Sequence, residues 1–414
     1  MLNRSSFNRR EALSMGSKAT LATGLASLLP RTARAADPYG GYSGHKDYKY
    51  IKTPATVFDW GLTPEQEAHA RELHKKLVVF DCLMECAFYP EFLDNMKLGG
   101  GTAGNFSLGI TDMFGFTPGN KFKPSQWWSW ESLNNDLDRL PGLMETFKDD
   151  AMFSLDHAGV LAAKKAGKIG FMPGTQNTMF LEGEISRMKI AYDKGLRIVQ
   201  LVYNGTNAVG SGSMEKKDQR FGLSKYGESV VGKMNELGMM VDTGHSSSET
   251  QFRAAEVSEK PIAISHAGMT SKVDQFRSST DAAIKKVAEK GGVMGVISTP
   301  SALNGKDRCT VKDYVDNIDH AVNIAGIDGV GIGTDLIIPS TFDQILSAPD
   351  WDEKTVASIG EFEVWPWSDG HVGFENNSGY PNLTRGLIKR GYKDADIAKI
   401  MGGNWMRLIK DTIG

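Results

Sequence analysis

Three features of this 414-residue sequence predict a (β/α)8 barrel of the TIM type, an α/β fold. Eight short apolar runs recur along the chain, and helix-like segments separate most of them. Several runs end on a polar or ionisable side chain, at Gln176, Tyr203, His245, His266 and Asp335. A barrel gathers its strand C-termini around one active face, so five such residues form a pattern there. A doubly wound open sheet would want a Gly-rich phosphate turn after its first strand. The first run, Leu77-Val78-Val79-Phe80-Asp81-Cys82-Leu83, has no such turn.

In chain order the runs are 77–83, 103–110, 169–176, 196–203, 239–245, 262–266, 292–298 and 329–335. Most are short and apolar on both faces, as fully buried parallel strands are. The helical patterns fall at 64–76, 130–148, 184–194, 224–237, 248–256, 280–290 and 311–325. The last opens on Thr310 with Asp313 three residues later, which predicts a capped start. Strands alternating with helices imply a parallel sheet. No repeat or low-complexity linker divides the chain, so residues 61–414 are expected to form a single barrel.

Composition sets further bounds. Hydrophobic residues are 40% and charged residues 23%, which excludes a disordered, collagenous or coiled-coil protein. Lys plus Arg is 47 and Asp plus Glu is 50, giving a net charge of −3. Without a basic excess, nucleic acid is not an expected partner. Three cysteines make no disulfide framework.

The N-terminus reads as a targeting segment. Asn8-Arg9-Arg10-Glu11-Ala12-Leu13 sets two arginines before a weakly apolar run over 13–29. That run is too short and too polar for a stable span. Ala33-Arg34-Ala35 offers small residues for cleavage before Ala36. Residues 1–35 thus resemble a twin-arginine signal, and the expectation is export to the periplasm. The segment carries six basic residues and one acid, so its removal moves the net charge from −3 to −8. Residues 36–60 read as an extended leader, and no transmembrane span is expected in the mature chain.

The chemistry-bearing residues follow. Val241-Asp242-Thr243-Gly244-His245-Ser246 ends one strand on a histidine. Pro261-Ile262-Ala263-Ile264-Ser265-His266-Ala267 ends the next in the same way. Two neutral imidazoles at adjacent strand ends can converge on one metal ion. Asp335, in Gly331-Ile332-Gly333-Thr334-Asp335, can accept a proton from activated water and pass it to a leaving group. Arg277 can grip a substrate carboxylate bidentately. Each has a plainer reading: a satisfied structural histidine, a cap on the next segment, a surface ion-pair partner.

Taken together, these stretches resemble the membrane (renal-type) dipeptidases, peptidase family M19, of the amidohydrolase-like metallo-dependent hydrolases. The matching stretches are VDTGHSS, PIAISHAG followed by Arg277, DHAVNIAGIDGVGIGTDL, and NLTRGLIKRGYKDADIAKIMGGNWMRL. GLRIVQLVYN and the run GLSKYGESVVGKMNELGMMVD fit as well. The resemblance spans roughly residues 77–408. It implies a metallo-barrel that hydrolyses dipeptides with zinc. On it, His245 and His266 are ligands of the second zinc, Arg277 binds the substrate's carboxylate, and Asp335 is the acid/base group. His320 falls on a family histidine and reads as structural.

Three positions depart from the family pattern. The first strand of typical members ends in Asp-Gly-His-Asn-Asp, whereas here it reads Asp81-Cys82-Leu83-Met84-Glu85. Leu83 cannot bind zinc, and Glu85, a longer carboxylate, is the metal ligand expected on that side. The bridging glutamate is replaced by Gln176, whose neutral amide lacks the charge that offsets repulsion between two cations. The family's substrate-polarising histidine falls at Tyr203. Gln176 and Tyr203 are therefore assigned to substrate binding, and one zinc ion is expected rather than two.

The functional expectation is hydrolysis of an amide bond in a dipeptide or similar small carboxylated substrate. The alternative is a non-hydrolytic tailoring or binding protein on the same barrel with a degraded metal site. Cys82 and Cys86 flank that site and read as buried small residues, a rebuilt ligand set or a local disulfide. Trp127, Trp128, Trp130, Trp365 and Trp367 read as pocket walls, core or a subunit contact, and a homodimer is left open.

Overall fold

Each of the eight apolar runs overlaps a barrel strand. In chain order the strands are β1 (Phe80–Met84), β2 (Ala103–Leu108), β3 (Ala151–Phe153), β4 (Ile169–Thr175), β5 (Ile198–Gln200) and β6 (Met240–Asp242). Then come β7 (Ala263–Met269), β8 (Ser278–Ser279), β9 (Val293–Val296), β10 (Cys309–Thr310), β11 (Val330–Ile332) and β12 (His371–Val372). The barrel path runs β1-β2-β4-β5-β6-β7-β9-β11, with all these pairings parallel. A parallel bridge from Met84 to Leu336 brings the last strand back to the first. The computed structural model describes residues 54–84, 90–109, 128–306, 308–336 and 371–414, with backbone alone at 90 and 91. The segment 1–35, most of 36–60, and Glu85, Cys86, Trp127, Trp365 and Trp367 lie outside the described residues.

The helices stand where the patterns put them, and their ends show why. Thr63 and Gln66 form a capping box ahead of Pro64–Lys76, with proline in the first turn. Thr310 and Asp313 form another ahead of Val311–Ala325. Among the elements that were not expected are β3, paired to β4, and the helix His157–Ala166 between them. A three-residue strand shows no period, but this helix does carry local signals. Asp156 caps its start, and Gly167 ends it in the left-handed conformation.

The barrel interior is layered. Phe80, Cys82, Ala103, Met172, Ile198, Met240, Ala263 and Val293 pack together with Trp405, all of them fully buried. Trp405 comes from the C-terminal helix Asn404–Thr412 and donates its indole N–H to the Ile332 carbonyl at 2.9 Å. Gly331 permits this approach, since a Cβ there would lie 2.3 Å from the indole nitrogen. Cys82 thus belongs to the apolar floor, and burial pushes its thiol well above the usual range. It is not poised as a thiolate ligand.

Above the floor, Asp81 ties the closure together. Its buried carboxylate accepts from the Thr334 amide at 2.8 Å and from the Thr334 hydroxyl. Tyr380 donates to it at 2.7 Å and the Leu83 amide at 3.3 Å. These bonds fix β11 against β1 just below Asp335. No helix among the described residues is long and apolar enough to cross a membrane.

Candidate active site

His245 leaves the end of β6 in a tight turn. Ser247 caps the helix that follows, Ser248–Val257, by accepting from the Thr250 amide. The loop 205–222 is stitched to this turn through a bridge from Gly212 to Ser246. A second tie is the Ser213 amide donating to the His245 carbonyl at 2.9 Å. His266 lies within β7, where pairing with β9 shifts register between Ile264 and Ala267. Such irregularities re-aim side chains next to active sites. The outcome is close: His245 Nε2 and His266 Nε2 are 3.0 Å apart.

Both imidazoles are buried, and burial holds their pKa values well below the usual range. The nearby Arg277 charge pushes in the same direction, and His266 adds to the effect on His245. They are therefore neutral, the form that binds metal. The hydrogen-bond network also assigns their protons. His245 Nδ1 is 2.7 Å from Asn204 Oδ1, an acceptor, so Nδ1 carries the hydrogen. His266 Nδ1 is 2.7 Å from Ser265 Oγ, whose own hydrogen goes to Asp242 Oδ2 at 2.6 Å. Ser265 Oγ must then accept from His266 Nδ1. Each Nε2 is left with a bare lone pair, and the two face each other.

That arrangement fits one metal ion. Two bare nitrogens at 3.0 Å repel unless something positive lies between them. Two nitrogens bonded to one tetrahedral zinc would be separated by roughly 3.3 Å. Backing each imidazole through its other nitrogen is the usual outer arrangement for ligating histidines. Among the described residues, no group of three His, Cys, Asp or Glu is placed to hold an ion. His245 and His266 would hold it, with the remaining positions left to water or substrate.

The other residues expected at the site divide into two groups. Asp335 Oδ2 lies 3.9 Å from His266 Nε2 and 4.0 Å from Arg277 Nη2. Asp335 has a positive φ of 56°, a conformation that aspartate tolerates and that recurs at functional sites. Arg277 is buried and donates through Nη1 to the Gly244 carbonyl at 3.1 Å. Tyr203 stacks on His245 with ring centroids 4.0 Å apart, and Trp128 packs on Tyr203 at 4.5 Å. Gln176 is buried at the end of β4, where its Nε2 donates to Ser107 Oγ at 3.2 Å. Its backbone carbonyl accepts from Gln200 at 2.7 Å. These two partners of Gln176 are neutral, and Glu85 lies outside the described residues. His320 accepts or donates at Ser271 Oγ, 2.7 Å away, on the helix Val311–Ala325.

Asn204, Ser265 and Asp242 are the residues that sequence reasoning passed over. Each sits within three positions of a residue it singled out: Asn204 follows Tyr203, Ser265 precedes His266, and Asp242 opens the turn to His245. That adjacency was the available signal. What no spacing shows is that Ser265 on β7 reaches back to Asp242 on β6.

The sequence profile of the membrane dipeptidases (peptidase family M19) matches residues 123–351 and 366–413. The chain belongs to this family. It is similar to the dipeptidase tcpJ of Claviceps purpurea, 26% identical over 362 residues, covering 85% of this chain and 78% of that one. Among solved structures it is similar to an amidohydrolase from Pseudomonas aeruginosa. The two are 27% identical with a TM-score of 0.70, over 83% of this chain and 99% of the other. A metallo peptidase from Rhodobacter sphaeroides, liganded with a phosphinate mimic of the dipeptide L-Ala-D-Ala, shares the fold. Its identity is 18% and its TM-score 0.63, over 81% of this chain and 99% of that one. The chain is therefore an M19-type (β/α)8 barrel related to dipeptidases.

Proposed function

We propose that this protein is a metal-dependent hydrolase that cleaves the amide bond of a dipeptide or similar small carboxylated substrate. We propose that it works with one zinc ion rather than two. The observation that carries this reading is the pair of neutral imidazoles whose bare nitrogens converge at 3.0 Å beside Asp335. An ion held there supplies Lewis acidity toward a carbonyl oxygen and toward water.

The chain's own residues do the rest. Arg277 holds the substrate's carboxylate, which fixes the amide over the histidine pair. Asp335, 4.0 Å from Arg277, accepts a proton from attacking water and delivers it to the leaving amine. Tyr203, on the wall against His245, faces the substrate where the family pattern has a histidine, and Gln176 offers an uncharged amide. The liganded Rhodobacter sphaeroides relative supports a dipeptide-like substrate. Export through the twin-arginine route, read from Arg9 and Arg10, belongs to the same proposal.

A second reading is favoured by one observation. Gln176 donates to Ser107 Oγ in the place where a bridging carboxylate would be needed. A neutral half-site of this kind also suits a non-hydrolytic tailoring or binding protein. Elemental analysis of the purified protein, with a dipeptide hydrolysis assay with and without added zinc, decides between them. One ion per chain with chelator-sensitive turnover supports the hydrolase. No ion and no turnover in excess zinc supports the second reading.

A further inference from the structure

We infer that Asp242 and Ser265 form a two-step hydrogen-bond relay whose task is to set the tautomer of His266 before any ion arrives. The inference rests on the reading of His245 and His266 as ligands, and it assigns positioning roles to two residues that touch neither ion nor substrate.

Asp242 stands at the base of the relay. Its Oδ1 accepts from the Ser265 amide at 2.8 Å and the Gly244 amide at 3.0 Å. Its Oδ2 has the Ser265 hydroxyl at 2.6 Å. Burial raises the Asp242 pKa to about 6, so above that pH its carboxylate is ionised and can only accept, and the Ser265 hydrogen points to Asp242. The hydroxyl oxygen is then free to act only as acceptor toward His266 Nδ1, 2.7 Å away. The direction of the first bond dictates the direction of the second. His266 must carry its hydrogen on Nδ1, and its Nε2 faces His245 bare.

The packing is built for this contact. A Cβ on Gly244 would stand 2.6 Å from Ser265 Oγ and 2.7 Å from His266 Nδ1, so any larger residue would displace the relay. Asp242, Ser265 and His266 are all essentially inaccessible to solvent, so water does not compete for the bonds. Without the relay, His266 has a ready alternative. It can carry its hydrogen on Nε2 and donate it to His245 Nε2 at 3.0 Å, which closes the site to a cation. The relay excludes that state. His245 is held in the matching tautomer by Asn204 alone, which leaves it as an internal reference.

The deciding substitution is Asp242→Asn. It is isosteric, and its amide oxygen can keep the two backbone donors. Its NH2 group then points at Ser265 Oγ, which forces the hydroxyl hydrogen toward His266 Nδ1 and inverts the relay. The experiment is long-range 1H–15N correlation of the imidazoles in the metal-free full chain, joined to a zinc competition titration. In the wild type, His266 is expected to be protonated on Nδ1. In Asp242→Asn it moves to Nε2 while His245 keeps Nδ1–H, and zinc affinity falls about 10- to 100-fold. Ser265→Ala, which deletes the relay without inverting it, gives a weaker shift of the same sign and serves if Asp242→Asn does not fold. Wild-type His266 protonated on Nε2 overturns the inference, as does an Asp242→Asn protein with unchanged tautomer and unchanged zinc affinity. A wild type that takes up no zinc overturns the proposed function instead. The tautomer measurement then decides the relay alone.

Discussion

The mouth of the barrel has two unlike halves. The half built from β6, β7 and β11 carries two imidazoles, a guanidinium and a carboxylate. Both imidazoles there are backed through their second nitrogen, and Arg277 is anchored on the Gly244 carbonyl. Among the described residues, the half built from β1, β2, β4 and β5 carries Leu83, Ser107, Gln176 and Tyr203, which are apolar or neutral. The difference concerns charge more than shape. Cations brought close together need fixed negative charge between them to offset their repulsion. A Gln–Ser pair provides dipoles, which suit the uncharged atoms of an organic ligand. On the proposed function, one half takes an ion and the other the substrate.

The sharpest way to break this comparison is to empty the charged half. His245→Ala or His266→Ala is expected to abolish both stoichiometric zinc binding and dipeptide hydrolysis. A variant that keeps turnover would remove the site assignment. Arg277→Met comes next. Truncating a buried charge that pairs with a substrate carboxylate costs about 2–5 kcal/mol of binding. The expected readout is a raised KM for a carboxylated dipeptide, with little change for its amidated counterpart. Equal losses on both substrates would show that Arg277 acts on the imidazoles and not on the substrate.

Gln176→Glu tests the neutral half. It places a carboxylate among neutral buried groups, which costs about 1–3 kcal/mol in the metal-free protein. Added zinc is expected to restore the lost thermal stability and to raise the metal content above that of the wild type. If the variant melts like the wild type with and without zinc, Gln176 is open to water and the two halves are not as distinct as drawn.

The halves differ also in how far the sequence revealed them. Buried parallel strands are continuous apolar runs, so all eight barrel strands were legible. A polar residue at the end of such a run stands out, so His245, His266, Tyr203, Gln176 and Asp335 were found. Their supports were hidden for a physical reason. The Asp242–Ser265 bond crosses from β6 to β7 and depends on the register between them, and His266 lies on an irregularity that spacing does not encode. Ser107 became meaningful only once β2 was seen beside β4. The extra strand β3 was too short to show a period.

The smallest expected effect uses a third buried histidine as a control on the two at the site. His371 lies on β12 beside Cys309 of β10, packed against Phe374 and Tyr314. Neither ring nitrogen has a hydrogen-bond partner among the described residues. Burial lowers its pKa from 6.5 to about 4, with Asp313 opposing the shift. The unfolded chain therefore takes up a proton as pH falls through 6.5, while the native protein does not until about 4. The stability present above pH 6.5 is lost progressively across that window. At pH 5.5 the His371 share of this loss is about 1 kcal/mol. His371→Phe keeps the ring contacts and removes the proton site. Its stability, followed by urea unfolding, should fall less between pH 7 and pH 5.5 than that of the wild type. The slope that remains in His371→Phe combines His245, His266 and buried His74, with Asp81 and Asp242, whose pKa values burial raises, opposing them. Saturating zinc should raise stability by the same increment at both pH values, because native His245 and His266 are already unprotonated and the ion stabilises only the native state. If zinc adds no stability at either pH, the two site histidines are structural, as His371 is, and the charged half loses its distinction.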